Sequence, residues 1–457
     1  MKKQICKLLS MLLVLALLCG NSIYAADAGN RYSLNVSTPL TASQIAKENA
    51  ASTAYSNLIA AFYEGYIGHK TSDQNTETAE FADVSVPTTY TVNGIPAEGY
   101  PEYYAGAYIN ANYELVILVT DKSASTKKAL CDQAKDTSVV FQEASYSYPE
   151  LISCMNDITC HWRAGDEQFQ PIKFAFIDDH GNRVVVGCTQ LNAEYISFLR
   201  ESLPGFNVIT FVDCEDFGKE VISLESTVNG YTALCSYQSS VVPSSVGSLP
   251  MFSYGCKAKK TVNGTTKYGF ITAGHAVSVG EYVFPTPPSL NAAIGVCTAS
   301  INQPSLGVDA AFVERTNSSY TLSNVIPSRP SYTLSTSYSS AAQGAAIYKC
   351  GSQTQESPGQ VAIASFTVNV GGTYFYQDMV VATYNSVSGD SGSLVYSLNT
   401  STHVATPLGI HVLSISPSTL QGWNMSPPYN PNSNDGYYKI YCKMGYVLSY
   451  LGVSLSS

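Results

Sequence analysis

Ser388-Gly389-Asp390-Ser391-Gly392-Ser393 is a polar hexapeptide set between two apolar runs, Met379-Val380-Val381-Ala382 and Leu394-Val395-Tyr396. Such runs read as strands, so the hexapeptide reads as a tight connection between them. Glycines on both sides of Ser391 let the backbone turn sharply and leave the hydroxyl and nearby N–H groups uncovered. An acyl-transfer nucleophile needs those features: an accessible oxygen beside donors aimed at a developing oxyanion. Gly-Asp-Ser-Gly is also an ordinary turn, so the reading depends on partners elsewhere in the chain.

Two other stretches supply them. Tyr268-Gly269-Phe270-Ile271-Thr272-Ala273-Gly274-His275 ends an apolar strand on a histidine, and Gly307-Val308-Asp309-Ala310-Ala311-Phe312-Val313 opens another strand on an acid. Each alone reads as a satisfied strand-end histidine or a turn-capping aspartate. Together with Ser391 they make a nucleophile, a general base and an acid that orients the base. The order is His, Asp, Ser, with separations of 34 and 82 residues. An α/β-hydrolase runs Ser, acid, His, and its elbow has glycine where this chain has Ser393, so a lipase-type enzyme is disfavoured.

The texture of the chain divides it. From Ser236 to Pro250 it is rich in Ser, Pro and Gly, which reads as a linker or processing site. Beyond lies all-β texture: short apolar strands separated by Gly, Ser, Thr and Tyr, in a length that suits two small closed sheets. Before it, the pattern is α+β. A helix is expected from Thr41 to about Tyr66, with Thr41 or Ser43 as its cap. Two hairpins follow, Ala107–Ile109 with Leu115–Val119 and Phe174–Ile177 with Val184–Val186, each trailed by a helix-prone segment (Ser123 to Ala134, Asn192 to Leu203). Hairpin-then-helix twice implies two related subdomains. His180 lies in the second hairpin's turn and is read as shaping it.

Composition bounds the rest. The 457 residues exceed one ordinary core, 45% are hydrophobic, and 24 basic against 34 acidic side chains give a formal charge of −10. With no basic run, nucleic acid is not an expected partner. Lys2, Lys3, the apolar run Leu8 to Leu18 and small residues at Ala25, Ala26 and Ala28 read as an export signal, too short to span a bilayer. Localisation is therefore expected to be extracellular, with no membrane span. Of 12 cysteines, Cys6 and Cys19 fall within the leader. The even number remaining favours disulfides in an oxidising compartment. No Cys/His cluster has zinc-site spacing, and the chemistry calls for no metal or cofactor.

Thr272-Ala273-Gly274-His275, Asp309-Ala310-Ala311-Phe312-Val313 and Gly389-Asp390-Ser391-Gly392 resemble the three triad motifs of chymotrypsin-like serine proteases, above all the bacterial branch of the streptogrisins and α-lytic protease. Lys349-Cys350-Gly351-Ser352, Gly359-Gln360-Val361 and Pro407-Leu408-Gly409-Ile410 echo the same branch, and Asp178 to Val186 resembles the hairpin of its pro-regions. The resemblance implies a signal peptide (1–25), an α+β pro-region (26–235) and an all-β protease domain (236–457). That domain would be two six-stranded antiparallel β-barrels, about 236–335 and 336–457, with the site between them. By the same resemblance His275 exchanges the proton of Ser391, Asp309 orients His275, and the N–H groups of Gly389 and Ser391 form the oxyanion hole. The implied protein is a secreted endopeptidase made as a zymogen, acting on proteins or peptides, its own pro-region serving as folding aid and inhibitor.

The departures are informative. Ala276 stands where many relatives have cysteine, Ser393 replaces the second glycine of Gly-Asp-Ser-Gly-Gly, and no Ile-Val-Gly-Gly activation sequence occurs. A basic residue, Lys349, falls near the position from which the streptogrisin branch neutralises the aspartate corresponding to Asp390. Asn385 occupies the place of the acid that gives trypsin-like enzymes their basic preference. His411, Ser388 and Ser414 fall where glutamyl endopeptidases bind a substrate carboxylate. The implied preference is for Glu, or Asp, before the scissile bond; the alternatives are apolar preference, or a non-catalytic binding or adhesion protein on a protease scaffold.

Overall fold

The computed structural model describes residues 41–73, 89–214, 232–240, 249–286, 292–370, 374–415 and 436–457. The export signal, residues 74–88 after the first helix and residues 241–248 of the linker lie outside these residues.

Helix α1 (Ala42–Asp73) starts at Thr41, whose Oγ1 accepts from the Gln44 N–H at 3.2 Å. Leu58, Ile59 and Phe62 are buried on one of its faces. Two units of the same design follow. In the first, hairpin β1 (Tyr104–Ile109) and β2 (Leu115–Val119) leads to α2 (Ala124–Ala134), and β3 (Val140–Glu143) then pairs in parallel with β2. Helix α3 (Tyr148–Arg163) joins the units. Its start is a capping box in which Ser147 and Glu150 bond each other's backbone N–H groups, with Pro149 in the first turn. In the second unit, hairpin β4 (Ile172–Asp178) and β5 (Arg183–Cys188) leads to α4 (Ala193–Ser202), and β6 (Ile209–Asp213) pairs in parallel with β5. The expected internal relation is thus visible in the topology. His180 packs edge-on against Tyr108, ring centres 4.5 Å apart, so the second turn rests on the first hairpin.

The second half is the pair of antiparallel barrels that the motifs imply. Strands β7 (Ala233–Tyr237), β8 (Met251–Ser253), β9 (Cys256–Val262), β10 (Thr265–Thr272), β11 (Tyr282–Pro285), β12 (Gly295–Gln303) and β13 (Val308–Arg315) form the first sheet. β8 and β9 are one strand bent at Tyr254-Gly255. Counted so, six strands run in a ring, from β7 through β8/β9, β10, β13, β12 and β11 back to β7. After the short strand β14 (Thr333–Leu334) come β15 (Ala346–Gly351), β16 (Gln355–Val370), β17 (Tyr374–Ala382), β18 (Leu394–Asn399), β19 (Val404–Ile415) and β20 (Tyr438–Lys443). The order β15-β18-β19-β20-β17-β16 closes on itself through the β15–β16 pairing. Closure removes the unpaired edges of each sheet.

Two boundaries differ from expectation. The strand Ala233–Tyr237 crosses the join drawn at 235/236 and is built into the first barrel. After α5 (Met444–Leu451), the last strand β21 (Ser454–Leu455) pairs with β9, so the chain returns to the first barrel instead of ending in the second. Among the described residues no helix is long and apolar enough to cross a membrane.

The expected disulfides are not formed among the described residues: Cys131, Cys154, Cys160, Cys188, Cys214, Cys235, Cys256, Cys297, Cys350 and Cys442 all stand unbridged. Cys188 and Cys214 are neighbours, the Cys214 N–H donating to the Cys188 carbonyl at 2.9 Å, and the others are spread over both halves. Cys154 and Cys188 sit in the core of the first half, Cys235 and Cys297 belong to the first barrel, and Cys256 and Cys442 to the core shared by both barrels. Burial pushes the Cys256 thiol up to about 12.

The two halves are joined by backbone and by buried polar groups. β4 adds to β16 antiparallel, with Phe176 opposite Phe366, so the second unit extends the sheet of the second barrel. The turn at Asn93-Gly94 caps an ion pair of the second half: Asp378 bonds Lys443 Nζ at 2.7 Å and accepts from the Asn93 N–H at 3.0 Å. Glu48 of α1 is buried against β15, its carboxylate accepting from the Ala346 N–H at 3.1 Å and Ser52 Oγ at 3.0 Å.

Burial pushes the Glu48 carboxyl up to about 7, against the opposing bonds from Ser52 and Ala346. Burial, reinforced by the neighbouring Asp178 charge, pushes that of Asp179 up to about 8. Raised carboxyls favour the folded state while they hold their protons. Their contribution is full below the unfolded pKa near 4 and is lost as pH rises through 7 and 8. The full chain is therefore expected to lose stability steadily from pH 5 to 8. In denaturant titrations across that range, Glu48→Gln should flatten the slope below pH 7 by about 3 kcal/mol in total; an unchanged slope would remove Glu48 from the account.

Candidate active site

His275 and Asp309 are bonded to each other, and the turn that carries Ser391 packs against the strand leading to His275. Asp309 opens β13 and is almost wholly buried. Its Oδ1 accepts from the His275 backbone N–H at 2.7 Å and its Oδ2 meets His275 Nδ1 at 2.6 Å. One carboxylate thus fixes both the main chain and the ring of the histidine. Gly274 makes this approach possible, since a Cβ there would lie 2.9 Å from Asp309 Oδ1 and 2.3 Å from the Ile301 carbonyl. Behind Asp309, its own N–H donates to Cys442 Sγ at 3.2 Å.

Ser391 lies on the turn between β17 and β18, with both flanking glycines in use. Gly389 (φ +95°) and Gly392 (φ +89°) occupy the left-handed region, and a Cβ on Gly392 would fall 2.2 Å from Thr272 Oγ1. That contact seats the turn directly on the strand leading to His275. Ser391 Oγ donates to the Val412 carbonyl at 3.4 Å, and its own carbonyl accepts from the Ser253 N–H at 2.7 Å. The Gly389 carbonyl is turned inward, where Ser253 Oγ and Ser352 Oγ each donate to it at 2.8 Å. Among the described residues, neither the Gly389 nor the Ser391 N–H donates to a protein acceptor. Two free donors beside a serine oxygen are what an oxyanion site requires.

Asp390 anchors the turn from below. It pairs with Lys349 Nζ at 2.8 Å, both side chains having no exposed surface. Thr354 Oγ1 (2.7 Å) and the N–H groups of Gln353 (2.8 Å) and Val387 (3.1 Å) donate to it as well. Burial raises the Asp390 carboxyl, but the Lys349 charge and these bonds outweigh burial and hold it below the usual carboxylate range. Ser393, in place of a glycine, is buried and donates back to the Asp390 carbonyl.

Asn385 and Ser388 lie on the loop before Ser391, and His411 and Ser414 on β19. His411 is fully buried, its Nδ1 3.0 Å from Tyr384 OH and its Nε2 2.6 Å from Ser386 Oγ. Ser388 Oγ is buried and has no hydrogen-bond partner among the described residues. Asn385 is held by its backbone, its N–H donating to Ser357 Oγ at 2.7 Å. Ser414, two residues beyond Val412, accepts from Lys439 Nζ at 2.9 Å. Lys439, Tyr384, Ser386 and Cys442 were not anticipated as parts of the site. Only Lys439 had a legible signal, as a charge inside the apolar run Tyr438 to Cys442.

Residues 40–144 match the family model of a Pro-like N-terminal domain. No curated protein matches the chain as a sequence relative. Among solved structures, the chain is similar to protease A of Thermobifida fusca, at 19% identity over 50% of this chain and 98% of that one, with a TM-score of 0.35. It is likewise similar to the Nocardiopsis protease, at 22% identity over 50% of this chain and 98% of that one, TM-score 0.35. A third is a glutamic acid specific serine protease described as using a histidine triad in substrate binding, at 24% identity over 50% of this chain and all of that one, TM-score 0.35.

Proposed function

We propose that this chain is a secreted serine endopeptidase made as a zymogen. His275 takes the proton of Ser391 Oγ as the oxygen attacks the scissile carbonyl, and returns it to the leaving amine. Asp309 holds the productive tautomer and offsets the imidazolium charge. The N–H groups of Gly389 and Ser391 receive the oxyanion. The observation that carries this reading is the pair of hydrogen bonds between Asp309 and His275, together with a glycine-flanked serine whose turn leaves two N–H groups without an acceptor among the described residues. A serine-directed fluorophosphonate should label the full chain, and Ser391→Ala should abolish the labelling. No labelling of the intact protein would favour a non-catalytic binding scaffold.

The first half is proposed as the pro-region, removed by a cut between the end of β6 and β7. Support comes from the match of residues 40–144, from the way β4 extends the second barrel's sheet, and from the capping of Asp378 and Lys443 by Asn93. Residues 232–457 expressed alone should yield little active enzyme, and supplying residues 26–231 in trans should raise the yield. Equal activity with and without the first half would count against its role in folding.

The substrate preference proposed is for an acidic side chain before the scissile bond. Asn385 offers no charge to a basic side chain. The buried Ser388 hydroxyl, without a partner among the described residues, is a donor that a carboxylate would satisfy and an apolar side chain would not.

A further inference from the structure

We infer that Ser253 is the positioning residue of the oxyanion site: its hydroxyl, supplied by the first barrel, fixes the rotation of the Gly389–Asp390 peptide and so aims the N–H donors on either side of it. The inference rests on the peptidase reading and names what orients the donors of that site. Ser253 ends β8, opposite Ala233 of β7, and is buried. It holds the nucleophile turn twice. Its N–H donates to the Ser391 carbonyl at 2.7 Å, and its Oγ donates to the Gly389 carbonyl at 2.8 Å. Its own carbonyl accepts from Oγ1 of Thr272 at 2.8 Å, on the strand that leads to His275. The nucleophile turn, the histidine strand and the first barrel therefore meet at this one residue.

The hydroxyl is held in one direction. A serine Oγ has a single proton to give, and a carbonyl can only accept, so that proton goes to Gly389. The Oγ lone pairs meanwhile accept from the Ser352 N–H at 2.8 Å. Ser352, just beyond β15 in the second barrel, repeats the arrangement: its Oγ accepts from Gln353 Nε2 at 3.1 Å and donates to the same Gly389 carbonyl at 2.8 Å. One hydroxyl from each barrel thus grips that oxygen. At its other end the peptide donates the Asp390 N–H to the Val387 carbonyl at 3.0 Å. A peptide is a rigid plane, so bonds at both ends fix its rotation. It lies between the Ser388–Gly389 and Asp390–Ser391 peptides, whose N–H groups are the proposed oxyanion donors. Gly389, at φ +95°, has no side chain to resist rotation about its own bonds, so the restraint comes from its neighbours. The bonds of the Asp390 carboxylate to Lys349 and Thr354 fix where the turn sits; those on the Gly389 carbonyl fix which way its peptides face.

The test uses the protein expressed as the full chain. Ser253→Ala removes one of the two hydroxyls and leaves the Ser253 N–H on the Ser391 carbonyl. On the peptide that wild type cleaves best, it should lower kcat by about 10- to 100-fold, less than the loss of an oxyanion donor itself. KM and the pH profile should stay those of wild type, because the His275–Asp309 pair is untouched. The rate of fluorophosphonate labelling should fall with kcat, since the phosphoryl oxygen uses the same donors. Ser352→Ala, which removes the other hydroxyl and leaves Ser253 whole, should act in the same direction. A folded Ser253→Ala with wild-type kcat overturns the inference, as does a loss confined to KM or matched by the unfolded fraction. Should Ser253→Ala fail to fold, Ser352→Ala decides, and wild-type kcat there overturns the inference. A wild type that neither labels nor cleaves overturns the peptidase reading instead.

Discussion

Asp309→Asn is expected to lower kcat by about 10⁴-fold with little change in substrate affinity, the size of effect found when a triad aspartate is made an amide. The geometry explains why so small a change is so damaging. Asp309 Oδ1 accepts from the His275 main-chain N–H at 2.7 Å, and a main-chain nitrogen is always a donor. In the variant the single amide oxygen is retained there, so the NH₂ faces His275 Nδ1, which Oδ2 meets at 2.6 Å in the native protein. An NH₂ at that place forces Nδ1 to accept and moves the ring proton to Nε2. The nitrogen that should take the Ser391 proton is then already protonated. The side chains are nearly isosteric, so unfolding midpoints should shift little and the loss should appear in kcat and in the rate of fluorophosphonate labelling. A loss smaller than tenfold would mean that Asp309 is a structural cap on the β12–β13 connection and not part of the reacting group.

The candidate site could be picked out in the sequence because the chemistry proposed for it needs particular residues at turns. Ser391 stands out by its glycines, His275 and Asp309 by being polar at the ends of apolar strands, and each is where a strand meets a connection. The repeat in the first half was legible for a similar reason, since both hairpins have compact apolar strands and turn residues between them. Helix α3 was missed although its signature is present. Ser147, Pro149 and Glu150 form a capping box with proline in the first turn, and Leu151, Ile152, Met155, Ile158 and Trp162 supply a buried face at helical spacing. The partners of His411 were missed for a different reason. Tyr384 and Ser386 lie 27 and 25 residues from it and meet it only through closure of the second barrel. Local pattern carries no trace of such pairs. The cysteine count misled because parity says nothing of position: Cys442 is engaged at the Asp309 backbone, Cys160 is exposed, and the buried thiols are divided among separate cores.

The pair formed by Lys349 and Asp390 should be the most sensitive point of the second barrel. Lys349→Met removes one charge from a site where neither partner has exposed surface. Asp390 keeps the donors Thr354 Oγ1, Gln353 N–H and Val387 N–H, but these are dipoles and do not offset a full charge at that depth. Breaking a buried pair from one side typically costs about 3–5 kcal/mol, a large share of the stability of an ordinary domain. The pH behaviour should change as well. In the native protein the depressed Asp390 carboxyl contributes stability above its unfolded pKa of 3.8, lost only as pH falls through the lower folded value. Without Lys349, burial dominates and the carboxyl rises above 3.8. Asp390 then takes up a proton on mild acidification, and its ionised form is a burden at neutral pH. Because Asp390 precedes Ser391 and is bonded to Val387 and Gln353, the same change should loosen the turn that presents the Gly389 and Ser391 N–H groups. The variant is thus expected to lose kcat beyond what its unfolded fraction explains. Lys349→Met combined with Asp390→Asn should recover part of the stability by removing the stranded charge, which chemical denaturation at pH 5 and 8 would measure. If the single variant is as stable as the parent, the pair is not what holds the Ser391 turn in place, and the hydroxyls of Ser253 and Ser352 on the Gly389 carbonyl would carry that role.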